Sequence, residues 1–378
     1  MKVESLINQI ENLGINSIIG VPDSTLKELC DCLNYDKPDH INHYVPVNEG
    51  AAAAMAAGVY LGTGKPACVY MQNSGIGNAV NPIASLLNEE VYDIPALFVV
   101  GWRGEPGIAD EPQHKFQGII TEDLFKLLGI KHEIIDADTN PKELESIFIK
   151  AKNELNNNKQ FTIIVKKNTF EKGESRNITN DYKLIREDAI KEILKQVEPD
   201  DMIVSTTGKI SREVYEQSDL ILGSHQQNFL TVGAMGHASS IALALSKECK
   251  DKRVYCIDGD GAVLMHMGTL AFIAKQNPEN LIHIVLNNDA HESVGGMPTG
   301  AVGLKIADLA LASGYPKVYS AANIEELSAA LKEAKASNRL SLIEVKVGLY
   351  SREDLIRPKE SAQENKKAFM KYHGLEAN

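Results

Sequence analysis

Two short runs carry the plainest chemistry in this sequence. Gly259-Asp260-Gly261 is followed, after a spacer of 25 residues (262–286), by Asn287-Asn288. Each run comes just after an apolar stretch that reads as a strand, 253–257 and 281–286. One helical crossover between parallel strands would bring both runs to the carboxyl edge of one sheet, where open α/β sheets bind ligands. A carboxylate oxygen and an amide oxygen are hard ligands that suit Mg²⁺ or Ca²⁺ rather than zinc. Gly259 and Gly261 let the backbone come close to an anion, and a helix starting near Ala262 would turn free N–H groups towards it. Ordinary turn chemistry explains either run alone. It does not explain the pair in this order at one-crossover spacing.

A second acid stands out in the first half. In Pro46-Val47-Asn48-Glu49-Gly50, followed by four alanines, Glu49 opens an apolar helix with no cation before Lys65. A helix dipole favours an acid in a first turn, but it does not explain so apolar a helix behind it. Three further segments have the texture of strand-to-helix turns: Met71 to Asn78, Thr207-Gly208-Lys209, and Gly233-Ala234-Met235-Gly236.

Taken together, these segments resemble the thiamine diphosphate-dependent 2-oxo acid decarboxylases, and the likeness runs along nearly the whole chain. By that resemblance the cofactors are thiamine diphosphate and Mg²⁺ or another hard divalent cation. Asp260, the Asn288 side chain and the Ala290 carbonyl would hold the metal. Gly208, Lys209, Gly259, Gly261, Ala262 and Ser293 would line the diphosphate site. The Gly233 carbonyl would accept from the cofactor's 4′-amino group, and Met235 would be the apolar wedge that bends the cofactor. Glu49 would hydrogen-bond the pyrimidine ring and so favour loss of the thiazolium C2 proton, while Asp23 and His114 would relay protons. The Met71–Asn78 turn would border the site.

Many larger relatives insert a third domain between these halves, and here only a short polar stretch stands there. The chain therefore resembles the compact branch of that family, the phosphonopyruvate and sulfopyruvate decarboxylases. The stretches that carry this likeness are Gly20-Val21-Pro22-Asp23-Ser24, Arg103 to His114, Thr206 to Glu213, Gly236 to Ser240, and Ser293 to Thr299. The activity it implies is non-oxidative decarboxylation of 3-phosphonopyruvate to phosphonoacetaldehyde and CO₂, in phosphonate biosynthesis. Sulfopyruvate decarboxylases of this branch are often split into two chains, so a fused chain is expected to favour the phosphonate substrate. An anionic substrate needs local cations, and Arg103, Lys209 and Arg212 are the candidates. A solvated loop charge is the plain alternative for each. A non-catalytic nucleotide-binding protein is the reading from another class. It would show a broken Glu49 or Asp260 position, and both are intact; nor does a GxGxxG fingerprint follow the first strand.

Composition sets the wider limits. Asp and Glu outnumber Lys and Arg by 51 to 39, giving a net charge of -12, so a nucleic-acid partner is not expected. Of the 378 residues, 43% are hydrophobic and 6% aromatic, which suits aliphatic α/β cores. The five cysteines form no CxxC pair and read as buried free thiols. No membrane span and no signal peptide are expected, which points to the cytoplasm. Asn177-Ile178-Thr179 matches a glycosylation pattern that is a chance match without a secretory signal.

The elements that position these residues alternate strand and helix. In the first half strands are expected at 18–20, 43–47, 67–71, 96–100 and 161–165, with helices at 49–61 and 76–87. In the second, strands are expected at 202–204, 253–257, 281–286 and 341–347, and helices at 185–197, 236–249, 262–275 and 324–336, the last capped by Asn323. The fold class is α/β: two three-layer domains with mainly parallel central sheets, the thiamine diphosphate-binding fold, and no third domain. The expected divisions are a pyrimidine-binding domain (1–170), a linker (171–184) and a diphosphate-binding domain (185–378) that ends in a charged surface tail. By the resemblance the chain forms a homo-oligomer with its active sites at the subunit interface.

Overall fold

The computed structural model describes residues 1–173 and 178–376; the side chain of Ser293 also lies outside the described set. The chain divides into two compact units, residues 1–176 and 177–378. Asn177 of the glycosylation pattern and residues 174–177 of the polar stretch fall outside the described residues.

The first unit is built on six parallel strands: β1 (Ser17–Gly20), β2 (Asn42–Tyr44), β3 (Ala67–Gln72), β4 (Ala96–Gly101), β5 (Lys131–Ile135) and β6 (Phe161–Val165). Their order across the sheet is β2-β1-β3-β4-β6-β5, with register Ile19↔Val69, Val69↔Phe98 and Val99↔Ile163. β4 reads Ala-Leu-Phe-Val-Val-Gly and is buried throughout, the continuous apolar run expected of a strand covered on both faces. The strand expected at 43–47 stops at Tyr44, because Pro46 has no N–H for a ladder. Helix Glu49–Thr63 is capped by Asn48, whose Oδ1 accepts from the Ala51 N–H at 2.8 Å, and stops at Gly64 in the left-handed region. Ala52, Ala53, Ala56 and Ala57 face the sheet and bring the helix close to it. The helix expected over 76–87 is regular to Pro82 and widens into a π turn over Ile83–Leu87.

The second unit repeats the plan with β7 (Met202–Ser205), β8 (Asn228–Leu230), β9 (Val254–Gly259), β10 (Leu281–Asn287), β13 (Lys317–Ala321) and β14 (Ser341–Lys346). Between β10 and β13 lies a two-strand ladder of β11 (Ala290–His291) and β12 (Met297–Pro298). The main sheet runs β13-β14-β10-β9-β7-β8 and is parallel throughout. Central β9 and β10 put Gly259 opposite Leu286, so the Gly-Asp-Gly and Asn-Asn runs leave neighbouring strands at the same edge. The single helix expected over 262–275 is two helices, Asp260–Met265 and Gly268–Gln276. The first starts at Asp260 rather than near Ala262. Asn323 caps Ile324–Ser337 as expected, accepting from the Glu326 N–H at 2.9 Å.

Two expectations about the ends of this unit change. The charged tail forms a helix, Ala362–Tyr372, that covers β8. Phe369 joins the core, and Asn365 accepts from the Leu230 N–H at 3.0 Å and donates to the Asn228 carbonyl at 2.9 Å. The end of the polar stretch, taken from the sequence as linker, is tied to the turn after β10. Asn180 donates to the Asn288 carbonyl at 2.9 Å, and the Tyr182 hydroxyl donates to Asp289 at 2.6 Å. Among the described residues no helix is long and apolar enough to cross a membrane.

Candidate active site

In the second unit a cavity of about 100 Å³ opens at the carboxyl edge of β7, β9 and β10. Its walls include Gly208, Lys209, Met235, Gly259, Asp260, Gly261, Ala262, Asn288 and Ala290, nine residues marked from the sequence. Gly233 and Arg212 are not among its lining residues. Arg212 sits on helix Lys209–Ile221, one turn beyond Lys209. Ser293 belongs to the short 3₁₀ turn Glu292–Val294 beside the cavity residues His291 and Glu292.

The residues in this cavity fit a metal and a diphosphate. Asp260 is 4% exposed, and one of its oxygens accepts from the Thr299 hydroxyl at 2.6 Å. Among the described residues no lysine or arginine pairs with it, so a buried carboxylate is left without a counter-charge. Burial pushes its carboxyl up to about 6, against the pull of the Thr299 hydrogen bond. A divalent cation would compensate a charge placed in this way. Asn288 is also buried, and its Oδ1 accepts from the Ala290 N–H at 3.1 Å, which closes the turn after β10. Asp289 takes the left-handed conformation in that turn, a region asparagine and aspartate tolerate.

Gly208 adopts φ +96 and precedes helix Lys209–Ile221, so a glycine is needed where the amino end of that helix meets the cavity. The Thr207 hydroxyl donates to the Val232 carbonyl at 2.9 Å and fixes the approach of the Gly233–Gly236 turn. Gly236 in that turn has φ +86, and a Cβ there would lie 2.6 Å from the His266 ring. Met235 is partly exposed, with its side chain over the cavity.

Sequence reasoning missed two charged residues of this site. Arg186, 3% exposed, grips Glu213 through Nε and Nη2 at 2.8 and 2.7 Å and reaches Glu292 with Nη1. Glu292 also accepts from Lys209 at 3.1 Å and from the Asn288 amide at 3.0 Å. Burial works to raise the Glu292 carboxyl, but Arg186 and Lys209 hold it below its usual value. The clue in the sequence was slight: an arginine opening an amphipathic helix, and an acid four residues after Asn288.

The first unit gathers its own marked residues at the carboxyl edge of β1, β3 and β4. Glu49 is 6% exposed, and Asn78 donates to its Oε2 at 2.7 Å. Gly75 lies directly against the same carboxylate: a Cβ there would be 2.4 Å from Glu49 Oε1. Asn73 ties this turn to the loop after β4, donating to the Arg103 carbonyl at 2.8 Å and accepting from its N–H at 3.1 Å. Asp23 has no exposed surface. Its carboxylate accepts from Gln72 at 2.6 Å and from the Thr25 N–H at 3.1 Å, and it would meet any Cβ at Gly101 at 2.1 Å. Burial raises the Asp23 carboxyl above its ordinary range in spite of these donors. The exposed group beside it is Ser24.

Arg103 does not stand free in its loop. Nε and Nη2 hold Asp110 at 2.8 and 2.5 Å, and Nη1 donates to the Ser24 hydroxyl at 3.0 Å. His114, in the first turn of helix Pro112–Leu127, is half-buried. Its pKa is lowered by burial and then by the Arg103 charge, and among the described residues its Nδ1 is buried without a hydrogen bond. A larger hollow of about 560 Å³ in this unit is lined by Lys131 and Phe161 at the amino ends of β5 and β6. Its lysines are paired, Lys131 with Glu154, Lys150 with Glu133 and Lys126 with Asp123, and it holds none of the marked residues.

Comparison with known proteins adds the following. Residues 2–127 match the model of the thiamine pyrophosphate enzyme N-terminal TPP binding domain, and residues 216–345 match that of the C-terminal TPP binding domain. The chain is 34% identical to a phosphonopyruvate decarboxylase of Streptomyces viridochromogenes, over 96% of this chain and 93% of the relative. It is 33% identical to a phosphonopyruvate decarboxylase of Streptomyces hygroscopicus, over 98% and 94%. A sulfopyruvate decarboxylase of Methanosarcina acetivorans is 27% identical over 90% of each chain. That relative spans both halves in one chain, so fusion does not separate the two activities as the sequence reading expected.

Proposed function

The chain belongs to the thiamine pyrophosphate enzymes, and from that premise we propose that it decarboxylates 3-phosphonopyruvate to phosphonoacetaldehyde and CO₂. The observation that carries this reading is the likeness to two phosphonopyruvate decarboxylases along more than nine-tenths of both chains. Bound thiamine diphosphate would supply a nucleophilic carbon to add to the 2-oxo group and a cationic ring to take up the electrons released when CO₂ leaves.

The chain's own residues divide the remaining work. Asp260 and Asn288, with the Ala290 carbonyl, hold a divalent cation, in our reading Mg²⁺, against the diphosphate. Lys209, Gly208 and the amino end of its helix face the phosphate oxygens, together with Gly259, Gly261, Ala262 and Ser293. Gly233 and Met235 orient the pyrimidine ring. Glu49, buried and fixed by Asn78, offers its carboxyl to that ring. Asp23 is enclosed by its own unit, so it acts through Gln72 rather than by touching substrate. His114 is the proton carrier nearest the Arg103 loop.

The substrate's second anionic group is recognised around Arg103, with Lys209 and Arg212 as further cations. Arg103 is pre-oriented by Asp110, and its bond to the Ser24 oxygen leaves that hydroxyl's own hydrogen to point outward as a donor. The active enzyme is a homo-oligomer in which the Glu49 unit of one subunit serves the Asp260 unit of another. Ala54, Gly58 and Leu61, exposed along one side of the Glu49 helix, support a covered face there. Five cysteines, none of them in a disulfide, support a cytoplasmic enzyme.

A second reading, sulfopyruvate decarboxylation, rests on the relative from Methanosarcina acetivorans. The test follows phosphorus and CO₂ together. Incubated with thiamine diphosphate and Mg²⁺, phosphonopyruvate should yield one phosphonoacetaldehyde per CO₂, and neither without the cofactor. CO₂ release from sulfopyruvate alone would move the assignment to the second reading.

A further inference from the structure

Among the described residues, Glu292 is the one side chain that hydrogen-bonds both Lys209, a candidate diphosphate ligand, and Asn288, a candidate metal ligand. Its Oε1 accepts from Lys209 Nζ at 3.1 Å. Its Oε2 accepts from Asn288 Nδ2 at 3.0 Å and from Arg186 Nη1. Arg186 is itself immobilised by Glu213, which is 1% exposed and accepts from the other two guanidinium nitrogens, Nε and Nη2. The chain Glu213–Arg186–Glu292 thus runs from the buried helix packing into the cavity wall and ends on two working residues.

The chemistry of the three donors explains why a carboxylate stands there. A guanidinium, an ammonium and an amide N–H₂ all donate, and only an ionised carboxylate accepts from all three with no hydrogen of its own to clash. The Asn288 contact has a further consequence. A side-chain amide can turn over and exchange its oxygen for its nitrogen, but a metal binds only the oxygen end. Binding of Nδ2 by Glu292, together with the Ala290 N–H on Oδ1, fixes which end is which.

Resting on the reading that this cavity takes thiamine diphosphate and a divalent cation, we infer that Glu292 is a positioning residue of the cofactor cradle. It sets the amide of Asn288 with its oxygen available to the metal and holds Lys209 at the phosphate wall, with Arg186 as its anchor. Without this role, Glu292 would only be an anion competing with the diphosphate for Lys209. The two possibilities predict opposite signs. Removing a negative charge beside a bound diphosphate tightens binding if Glu292 merely competes. It weakens binding if Glu292 positions the ligands.

The experiment is calorimetric titration of wild type, Glu292→Gln and Glu292→Asp with thiamine diphosphate and Mg²⁺, and with inorganic pyrophosphate without metal. Circular dichroism and ligand-free melting serve as controls for folding. Both variants should bind the cofactor with Mg²⁺ on the order of 10- to 100-fold more weakly, as outer partners of metal ligands do. Glu292→Asp should lose affinity although it keeps the charge, because its shorter side chain cannot reach both donors. The metal-free pyrophosphate titration isolates the Lys209 arm and should show the smaller loss. Tighter or unchanged binding in Glu292→Gln overturns the inference. Should that variant not fold, Glu292→Asp combined with Asn288→Ala decides: the double variant should lose little more than Asn288→Ala, and additive losses overturn the coupling. If wild type itself binds no thiamine diphosphate with Mg²⁺, the cofactor reading falls and the inference with it. If wild type binds and the variants match it, only the inference falls.

Discussion

Gly75→Ala is predicted to disable the enzyme without replacing any residue that takes part in the chemistry. A Cβ at residue 75 would lie 2.4 Å from both Cγ and Oε1 of Glu49 and 2.5 Å from its Cδ. Ordinary contact between such atoms needs about 3.4–3.5 Å, so the carboxylate must retreat by about 1 Å. The side chain is flexible and Gly75 has no positive φ, so the helix and sheet around it can stay as they are. The retreat breaks the 2.7 Å hydrogen bond from Asn78, a loss of about 1.5–3 kcal/mol for a bond to a charged group. A displacement of about 1 Å in a catalytic group costs on the order of 10²-fold in rate. The expected outcome is a folded protein whose kcat falls about 100-fold, with thiamine diphosphate affinity within a few-fold of wild type. Exchange of the C2 proton of bound cofactor, followed by NMR, should slow in parallel and match Glu49→Gln. Normal exchange in a folded Gly75→Ala protein would refute the placement of Glu49 in the chemistry.

Three other outcomes are expected. Asp260→Ala removes the buried carboxylate that, among the described residues, pairs with no lysine or arginine, so it should abolish Mg²⁺-dependent cofactor binding in calorimetry and leave the fold intact by circular dichroism. Arg103→Ala strips the partner from Asp110 and Ser24. It should cut the preference for phosphonopyruvate over pyruvate, measured as the ratio of kcat/KM, by about 10- to 100-fold, the worth of one charge-assisted contact. An unchanged ratio would shift the role to Lys209 and Arg212. Inactive Glu49→Ala chains mixed with inactive Asp260→Ala chains should regain part of the activity once subunits exchange, and no recovery despite proven exchange would show that each chain completes its own site.

Legibility from sequence followed burial. β4, β6, β9 and β10 are mostly apolar runs buried along their whole length, and each was read within two residues of its ends. The main-sheet strands missed were β5, β8 and β13, all at sheet edges, and the two-residue strands β11 and β12 were missed as well. β5 reads Lys-His-Glu-Ile-Ile, where charged residues facing solvent hide the strand. The tail helix was missed because its one core aromatic, Phe369, stands among lysines. At the site, residues held by local spacing were readable: the cavity gathers Asp260, Asn288 and their glycine neighbours. Residues that act across distance were not. Arg186 meets Glu292 over 106 positions, and Glu49 meets Asn78 over 29, separations that no local pattern encodes. Asp23 shows a related limit. Its type and turn suggest catalysis, and only the fold reveals that its carboxylate faces inward while Ser24 faces out.

The central claim is that this thiamine pyrophosphate enzyme selects its substrate by the anion at C3. Any 2-oxo acid can lose CO₂ once bound to the cofactor, so selectivity must come from donors that a methyl group would leave unpaired. Two charge-assisted contacts amount to a discrimination on the order of 10²–10⁴. The most direct measurement is kcat/KM for phosphonopyruvate, sulfopyruvate and pyruvate under one set of conditions. The account predicts phosphonopyruvate first, with pyruvate poorer by at least about 10². Equal efficiency on pyruvate would contradict it.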